Sequence, residues 1–419
     1  MRLLAMLILV PVIVFGTDEA DTVNWPGFRG DGSSLVNSDA LPLTWNNEDG
    51  VAWRVDLAGF GQSSPVIWNG TVYVTSTGGE HKEHLYVEAF DLDSGKRQWI
   101  RELEASVTVE KVSKMISQGA PTPVAGPEGV TVFFESGDLV SLDTEGKVRW
   151  SRSLTEEYGP FKGGHGVGSS LVGVPGQLVL LIDHDGPSYL LCLDRKTGET
   201  AWRTEREARV SWTTPLYLDH PDGGRLLVSS NGSLEGFRLK DGERLWWIDG
   251  ITKNTVASPS SDGRLVVMPS SNPKQSMAVR LGGKGELGED HEVWRAESVV
   301  SSFPSPLLYH DMAFFINRAG TLLAQDMEDG RSLWKHRLPG ETWASPIGAG
   351  DRVYVFCKNG KAAVLKPDKA KPVVLAENAI EIPEEEIVYG VAATQSAFVL
   401  RTGRELIRIG GSIGGETTD

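Results

Sequence analysis

The feature that most constrains this 419-residue sequence is a tryptophan that returns every 40 to 52 residues. The last six of these tryptophans follow a short turn that contains glycine, such as Asp93-Ser94-Gly95-Lys96. Before most of the turns lies a β-rich segment that ends in Asp, as from Leu190 to Asp194. A strand, a glycine-containing turn and a second strand predict a β-hairpin. The repeated tryptophans are Trp53, Trp99, Trp150, Trp202, Trp246, Trp294 and Trp334.

A second short motif, which we call the mark, recurs with the same period, and an apolar segment begins at each copy. In six places it is a Ser-Pro or Thr-Pro pair such as Ser64-Pro65, and we place its other equivalents at Ser170-Leu171 and Ala393-Thr394. Another β-rich segment follows each mark, so one unit holds four antiparallel strands. This content predicts a β-propeller blade. The alternative regular all-β fold is a sandwich, which would not repeat eight times.

The chain ends indicate how the ring closes. The last unit stops one strand short after Glu405 to Ile409, and a spare strand, Val51 to Val55, precedes the first mark. A blade shared by both ends removes an exposed strand edge. We therefore predict an all-β, eight-bladed β-propeller of four-stranded antiparallel blades over residues 51–410, in which the N-terminal strand closes the last blade. An N-terminal arm (17–50) and a flexible tail (411–419) flank it.

The first sixteen residues predict export. Arg2 precedes an apolar run from Leu3 to Phe15, and Gly16 is a small residue at a suitable cleavage point. Thirteen apolar residues are few for a membrane span of about 20, so residues 1–16 indicate a signal peptide. An uncleaved anchor is the alternative. The predicted location is periplasmic or secreted, without a lipid anchor because no cysteine lies near the cleavage point.

Composition excludes several classes of protein. The net charge of −15 argues against binding to nucleic acid. Hydrophobic residues at 40% exclude wholesale disorder. Two cysteines exclude a disulfide scaffold, a cysteine-rich zinc module and most iron–sulfur sites.

The unit (Leu/Phe)-Asp-x-x-(Thr/Ser/Asp)-Gly-(Lys/Glu)-x-x-Trp resembles the tryptophan-docking repeat of pyrroloquinoline-quinone (PQQ) dehydrogenases and of the outer-membrane assembly factor BamB. The opening Trp25-Pro26-Gly27-Phe28-Arg29-Gly30 and the stretch Gly61 to Val66 resemble exported PQQ-like repeat proteins of planctomycete-type bacteria. The resemblance implies the propeller fold and a structural role for the seven repeat tryptophans. We expect each to be a wedge between adjacent blades, because one Trp buries about 150–250 Å².

Two functions follow from the resemblance. The favoured one is a non-catalytic binding or scaffolding module of the cell envelope, similar to BamB and without a cofactor. Its partner would be an envelope protein, a peptide or a glycan, and the chain would be a monomer. The alternative is a quinoprotein alcohol or sugar dehydrogenase with PQQ and calcium. In many such enzymes the cofactor stacks on a disulfide of adjacent cysteines, whereas Cys192 and Cys357 are far apart. We could place no matching Glu, Asn and Asp set for calcium, so we predict no catalytic residues.

The predicted binding surface surrounds the central channel. Loops that enter the first strand of each blade share one face with loops between the second and third strands, and variable loops are where function concentrates. Aromatic and basic residues on this face suit a peptide, a glycan or an anionic group. Side chains that merely plug the channel are the alternative. The residues are Gln62, Gln118, His165, His184, Trp212, Phe303, Arg318, Trp343, Lys358 and Arg401.

One charged loop has metal-ligating residue types. Glu80-His81-Lys82-Glu83-His84 carries two histidines three residues apart with carboxylates beside them. Such a set is able to bind a metal ion. A solvated charged loop is the preferred interpretation, because the sequence supplies no third ligand, and we predict no metal site.

Overall fold

In the computed structural model, eight sheets surround a central channel. The structure describes residues 24–109, 117–252 and 256–411, so the predicted signal peptide and nearly all of the predicted tail lie outside the described residues. Within that part of the chain the single helix is one short turn, α1 (Leu154–Tyr158), and everything else regular is β-strand. The predicted eight-bladed propeller is confirmed.

Four strands make up each blade, numbered outward from the channel. Blades 1 to 7 are β3–β6, β7–β10, β11–β14, β15–β18, β19–β21 with β23, β24–β27 and β28–β31, and blade 8 is β32–β34 with β2. Blades 4 and 7 each gain a short parallel fifth strand, β22 and β1 respectively. The strands are β1 (Leu35–Val36), β2 (Val51–Asp56), β3 (Val66–Trp68), β4 (Thr71–Gly78), β5 (His84–Asp91), β6 (Arg97–Glu104), β7 (Val124–Gly126), β8 (Gly129–Phe133), β9 (Asp138–Leu142), β10 (Val148–Ser153), β11 (Val172–Val174), β12 (Gln177–Ile182), β13 (Ser188–Asp194), β14 (Thr200–Arg206), β15 (Leu216–Leu218), β16 (Arg225–Ser229), β17 (Gly232–Arg238), β18 (Arg244–Ile251), β19 (Ser260–Ser261), β20 (Leu265–Met268), β21 (Met277–Arg280), β22 (Gly285–Glu286), β23 (Glu292–Arg295), β24 (Leu307–Tyr309), β25 (Met312–Ile316), β26 (Thr321–Asp326), β27 (Ser332–Arg337), β28 (Ile347–Ala349), β29 (Arg352–Phe356), β30 (Lys361–Lys366), β31 (Val373–Ala379), β32 (Gly390–Ala393), β33 (Phe398–Arg401) and β34 (Glu405–Ile409).

Blade 8 closes the ring as predicted. Strand β2 pairs antiparallel with β34, with Val51 opposite Ile409 and Asp56 opposite Glu405. The start of this blade differs from our expectation. Its innermost strand begins at Gly390, whereas Ala393-Thr394, where we placed the mark, lies at the end of that strand and in the following turn.

Most repeat tryptophans join neighbouring blades through a hydrogen bond. On six of the seven outer strands that carry one, the indole Nε1 donates to a backbone carbonyl in the turn region of the next blade. The Trp99 Nε1, for example, is 2.8 Å from the Thr144 oxygen. The acceptors for Trp53, Trp99, Trp150, Trp202, Trp294 and Trp334 are Leu92, Thr144, Arg195, Leu239, Met327 and Asp368.

At five of the blade junctions, a glycine of the hairpin turn explains how the indole fits. Gly198 has φ +75°, a conformation that glycine adopts without strain. A Cβ on Gly198 would lie 2.6 Å from the Trp150 ring of the preceding blade. The same contact joins Gly95 to Trp53 and Gly146 to Trp99. The turn glycine therefore serves both its own turn and the docking of the neighbouring tryptophan.

Two blade junctions depart from this arrangement. Trp246 packs over Gly236 of its own blade and lies beside the added strand β22. Blade 7 has no tryptophan on its outer strand, and the N-terminal arm supplies one instead. Trp45 lies between Phe356 of blade 7 and Phe398 of blade 8, with ring centroids 5.9 and 6.1 Å away.

Around the channel, Ser and Thr hydroxyls link successive blades. In each link the backbone N–H of one mark donates to the hydroxyl of the next mark, at 2.9 or 3.0 Å. The following residue is usually proline, which holds its predecessor in an extended conformation. We call this set the hydroxyl ring; it comprises Ser64, Thr122, Ser170, Thr214, Ser258, Ser305 and Ser345. Blade 8 has Gly390 at this position, tight against Ser64.

The N-terminal arm crosses the channel. Trp25 exchanges two backbone hydrogen bonds with Ile67 of blade 1, at 2.9 and 2.8 Å. Arg29 then reaches blades 5 and 6, and β1 pairs in parallel with β28 of blade 7. Phe28 and Arg29 line both an upper cavity of about 310 Å³ and a lower one of about 300 Å³. The arm thus divides the channel into two.

Both cysteines are free and buried, on opposite sides of the ring. Cys192 lies in β13 of blade 3, and Cys357 directly follows β29 of blade 7. Burial in apolar surroundings raises the pKa of each thiol to about 12. Because the thiolate is the reactive form, neither buried thiol is expected to react. Both residues belong to the packed interior.

The turn glycines give a stability test. We expect Gly198→Ala to lower the free energy of unfolding by about 2–4 kcal/mol, because the methyl group strains the backbone and clashes with Trp150. Gly176→Ala is the matched control, since Gly176 has φ +72° but no atom near its Cβ position. It should cost about 1 kcal/mol. Equal losses in urea denaturation would show that the indole contact contributes nothing.

The thiols give a second test. At about pH 8 the native protein should react with a thiol reagent at neither cysteine, because burial blocks access and keeps both protonated. In denaturant both should react. Counting released chromophore before and after unfolding measures this, and rapid labelling of the native protein would contradict the buried placement.

Candidate functional site

The upper cavity is the candidate site, and we call it the channel mouth. It opens on the face of the loops that enter each blade, and the hydroxyl ring and the arm form its floor. Its volume of about 310 Å³ is at the lower end of the usual range for ligand pockets, about 300–1,000 Å³. Among the predicted site residues, its lining includes Gln62, His165, Trp212, Phe303 and Trp343.

An arc of aromatic rings forms one wall of the mouth. Phe303 and Trp343 stack face to face, with centroids 4.3 Å apart and planes 12° from parallel. Tyr389 meets Trp343 edge-on at 5.4 Å, and Phe60 meets Tyr389 at 5.8 Å. These rings come from the entry loops of blades 6, 7, 8 and 1. The arc therefore presents a continuous apolar surface built on a rigid ring.

Lys358 lies against this wall. Its Nζ is 5.2 Å from the Phe303 centroid and 5.7 Å from that of Trp343, within range of a cation–π interaction. Glu341 pairs with the same ammonium at 3.2 Å. The structure thus brings three predicted residues together, with the positive charge on the outer side of the aromatic pair.

The opposite wall consists of Trp212 and His165. Their rings meet edge-on at 5.9 Å, and the Trp212 Nε1 donates to the Gly166 carbonyl at 2.9 Å. This bond fixes the indole of a tryptophan that does not belong to the docking repeat. His165 is exposed, so an imidazole stands at the rim where a bound group would meet it.

Gln62 joins the entry loops of blades 1, 2 and 8. It exchanges hydrogen bonds of 3.0 Å with Gln118, using its backbone N–H and its side-chain oxygen. Burial raises the pKa of Tyr389, and the nearby Gln62 side chain partly offsets this shift. Tyr389 is therefore a neutral donor and acceptor at the mouth, which sequence reasoning missed because no repeat mark precedes it.

Three predicted residues lie away from the cavity. His184 is buried, its Nδ1 accepts from the Lys162 and Gly186 backbone N–H groups, and burial lowers its pKa. Arg401 is fully buried and bonds to Ser63 and Thr75, not to the mouth. Burial lowers its pKa to about 9. Arg318 is exposed but does not line the cavity.

Beside the mouth, part of the charged loop that we expected to be solvated is held by a buried ion pair. Lys82 is buried, and its Nζ lies 3.3 Å from Glu135 and donates to the Ser117 carbonyl. Glu135 also accepts from the Gly119 backbone N–H at 3.0 Å. Burial raises the pKa of Glu135, although Lys82 and Gly119 oppose the shift. This network anchors the entry loop of blade 2.

The floor contains a buried guanidinium. Arg29 donates to Ser34, Ser260 and the carbonyls of Pro259 and Pro306, and has no carboxylate partner within 4.0 Å among the described residues. Burial lowers its pKa to about 10. The sequence signal was the Trp25 to Gly30 stretch, which carried the family resemblance without revealing a position in the channel.

The described lining does not fit PQQ with calcium. Calcium requires oxygen ligands, typically several carboxylates and carbonyls. None of the described residues that line the mouth is Asp, Glu or Asn. The two cysteines are buried in blades 3 and 7 and offer no adjacent pair on which a quinone would stack. No chemical step through that cofactor follows from this site.

Comparison with known proteins places the fold in a family. A family model described as outer membrane protein assembly factor BamB matches residues 23–160, 158–288 and 286–375. BamB of Moranella endobia (strain PCIT) is 25% identical over 263 residues, which are 61% of this chain and 61% of that protein. The match thus spans about three fifths of the length of that curated relative.

Solved structures share the fold at low identity. The crystal structure of BamB from Moraxella catarrhalis has TM-score 0.60 and 13% identity, covering 88% of this chain and 98% of that chain. The quinohemoprotein alcohol dehydrogenase from Comamonas testosteroni has TM-score 0.66 and 11% identity, covering 94% and 82%. Structural similarity alone therefore does not separate BamB from the quinohemoprotein dehydrogenase. The family model matches most of the chain, and the chain belongs to the family of the outer membrane protein assembly factor BamB.

Proposed function

We propose that this protein is a non-catalytic binding and scaffolding module of the cell envelope, which holds a segment of an envelope protein at the channel mouth. The observation that carries the proposal is the aromatic arc of Phe303, Trp343 and Tyr389 beside Lys358. Buried aromatic side chains are typical energetic centres of protein interfaces. Family membership supports the same role.

The shape of the mouth favours side chains over a large ligand. A volume of about 310 Å³ accommodates a few side chains, and the arm bounds the cavity below. We expect a partner segment to insert apolar groups between the aromatic arc and Trp212. The amides of Gln62 and Gln118 and the Tyr389 hydroxyl would meet its backbone. A glycan that stacks on the same rings is a different outcome of the experiment below.

The proposed location is the periplasm or the exterior of the cell. The apolar run before Gly16 supports export, and the BamB relatives are named as outer membrane assembly factors. Within the described residues, no helix has the length and apolar character that a membrane crossing requires. We propose that the protein acts as a monomer and carries no cofactor.

The test compares proteins recovered from envelope extract on the tagged chain and its variants. Trp212→Ala with Trp343→Ala should reduce recovery of specific partners about tenfold or more, because each removes an anchor worth about 2 kcal/mol. Quantitative mass spectrometry measures recovery, and thermal unfolding checks that the double variant is folded.

Two variants serve as matched controls. Arg318→Ala changes an exposed residue outside the cavity lining, and Trp68→Ala changes a tryptophan that lines the lower cavity. Both should recover the same proteins as the wild type. Unchanged recovery by the mouth variant would contradict the proposed site. Stoichiometric binding of PQQ with calcium, together with dye reduction by alcohols or sugars, would overturn the non-catalytic role.

A further inference from the structure

The outer part of blade 1 brings one histidine and two glutamates together. His84 is the first residue of β5 and lies directly opposite Glu104 in β6. Glu102 is two residues before Glu104 and therefore shares its face of the strand. The His84 Nδ1 is 3.3 Å from the Glu102 Oε1 and 3.3 Å from the Glu104 Oε1. Sequence reasoning found His84 but missed both carboxylates, which lie about twenty residues away in the chain.

These separations match a tetrahedral metal site. Zinc binds His nitrogen and carboxylate oxygen at about 2.0–2.2 Å, and the corners of such a tetrahedron are about 3.3–3.5 Å apart. The three ligand atoms all lie within 4.8 Å of one another. A cation among them would contact all three ligand atoms after small rotations of the two exposed glutamate side chains. The fourth corner faces outward, because Glu104 is largely exposed.

Among the described residues, the two carboxylates depend on His84 for charge compensation, which the imidazole provides only when it is protonated. The His84 Nδ1 is shielded from solvent and has no hydrogen-bond partner among the described residues, although it lies between two carboxylates. Neither carboxylate has a lysine or arginine nitrogen within 4.0 Å in the described parts of the chain. Two neighbouring carboxylates repel each other unless a cation compensates them.

We propose that His84, Glu102 and Glu104 form a binding site for a divalent cation of the zinc class, with one position open to water. The site differs from the pair of histidines that the sequence suggested, because His81 is not a member. It lies at the base of the 79–83 loop, in which Lys82 is held by Glu135. A bound cation would therefore link β5, which begins where this loop ends, to β6.

The test uses the full chain after treatment with a chelator. Titration with Zn²⁺ by calorimetry should show one equivalent bound, and Co²⁺ should give the intense visible absorption of a tetrahedral site. His84→Ala and Glu104→Gln should each weaken Zn²⁺ binding about tenfold or more, because each removes one of three ligands. The wild type, unlike these two ligand variants, should gain thermal stability with added Zn²⁺.

Two histidine variants are matched controls. His81→Ala removes the neighbouring histidine of the same loop. His220→Ala removes an exposed histidine that has one carboxylate, Asp222, which Arg225 already neutralises. Both should bind Zn²⁺ as the wild type does. Zn²⁺ binding without a defined stoichiometry, or unchanged binding by folded His84→Ala, would overturn the proposal. If His84→Ala does not fold, Glu104→Gln still decides the test.

Discussion

The spacing of the eight blades depends on the hydroxyl ring. Blades 1 to 6 each enter the channel wall through a Ser or Thr whose backbone N–H is bonded to the hydroxyl of the next blade. A buried N–H without a partner costs about 1–3 kcal/mol, so the chain is held to this register. Glycine and tryptophan fix the outer rim in the same way. The inner and outer contacts together set the channel width, and with it the size of the mouth.

The rigid frame of the ring makes it possible to bury charged side chains. Arg29 and Arg401 are surrounded by carbonyl and hydroxyl oxygens that the inner strands and loops present in fixed positions. Removing a guanidinium from water is expensive unless its N–H groups find such partners. The frame holds both cations, although the Arg401 Nη2 has no hydrogen-bond partner among the described residues. The cation beside the aromatic wall of the mouth is Lys358, which is paired with Glu341.

The repeat made the architecture predictable from the sequence. The contacts across the ring were not predictable in this way. Eight marks and seven tryptophans specified blade number and closure, because each blade repeats the same local chemistry. The start of blade 8 was placed at Ala393-Thr394 and not at Gly390, because blade 8 lacks the Ser-Pro mark. Lys82 was expected in a solvated loop and Arg401 at the channel mouth. Their burial depends on Glu135 and Ser63, which come from other blades. The path of the arm depends on pairing with Ile67 and β28 and leaves no periodic signal.

The closing strand has a consequence for how the chain folds. Val51 and Ile409 pair although they lie near opposite ends of the described chain. Native contacts between such distant residues carry a large loop-closure entropy and slow the search for them. During synthesis β2 must wait, without its strand partner, until β34 has emerged. Ring closure is therefore the late event of folding, and the period before it is when the exposed edge is most open to association with other chains.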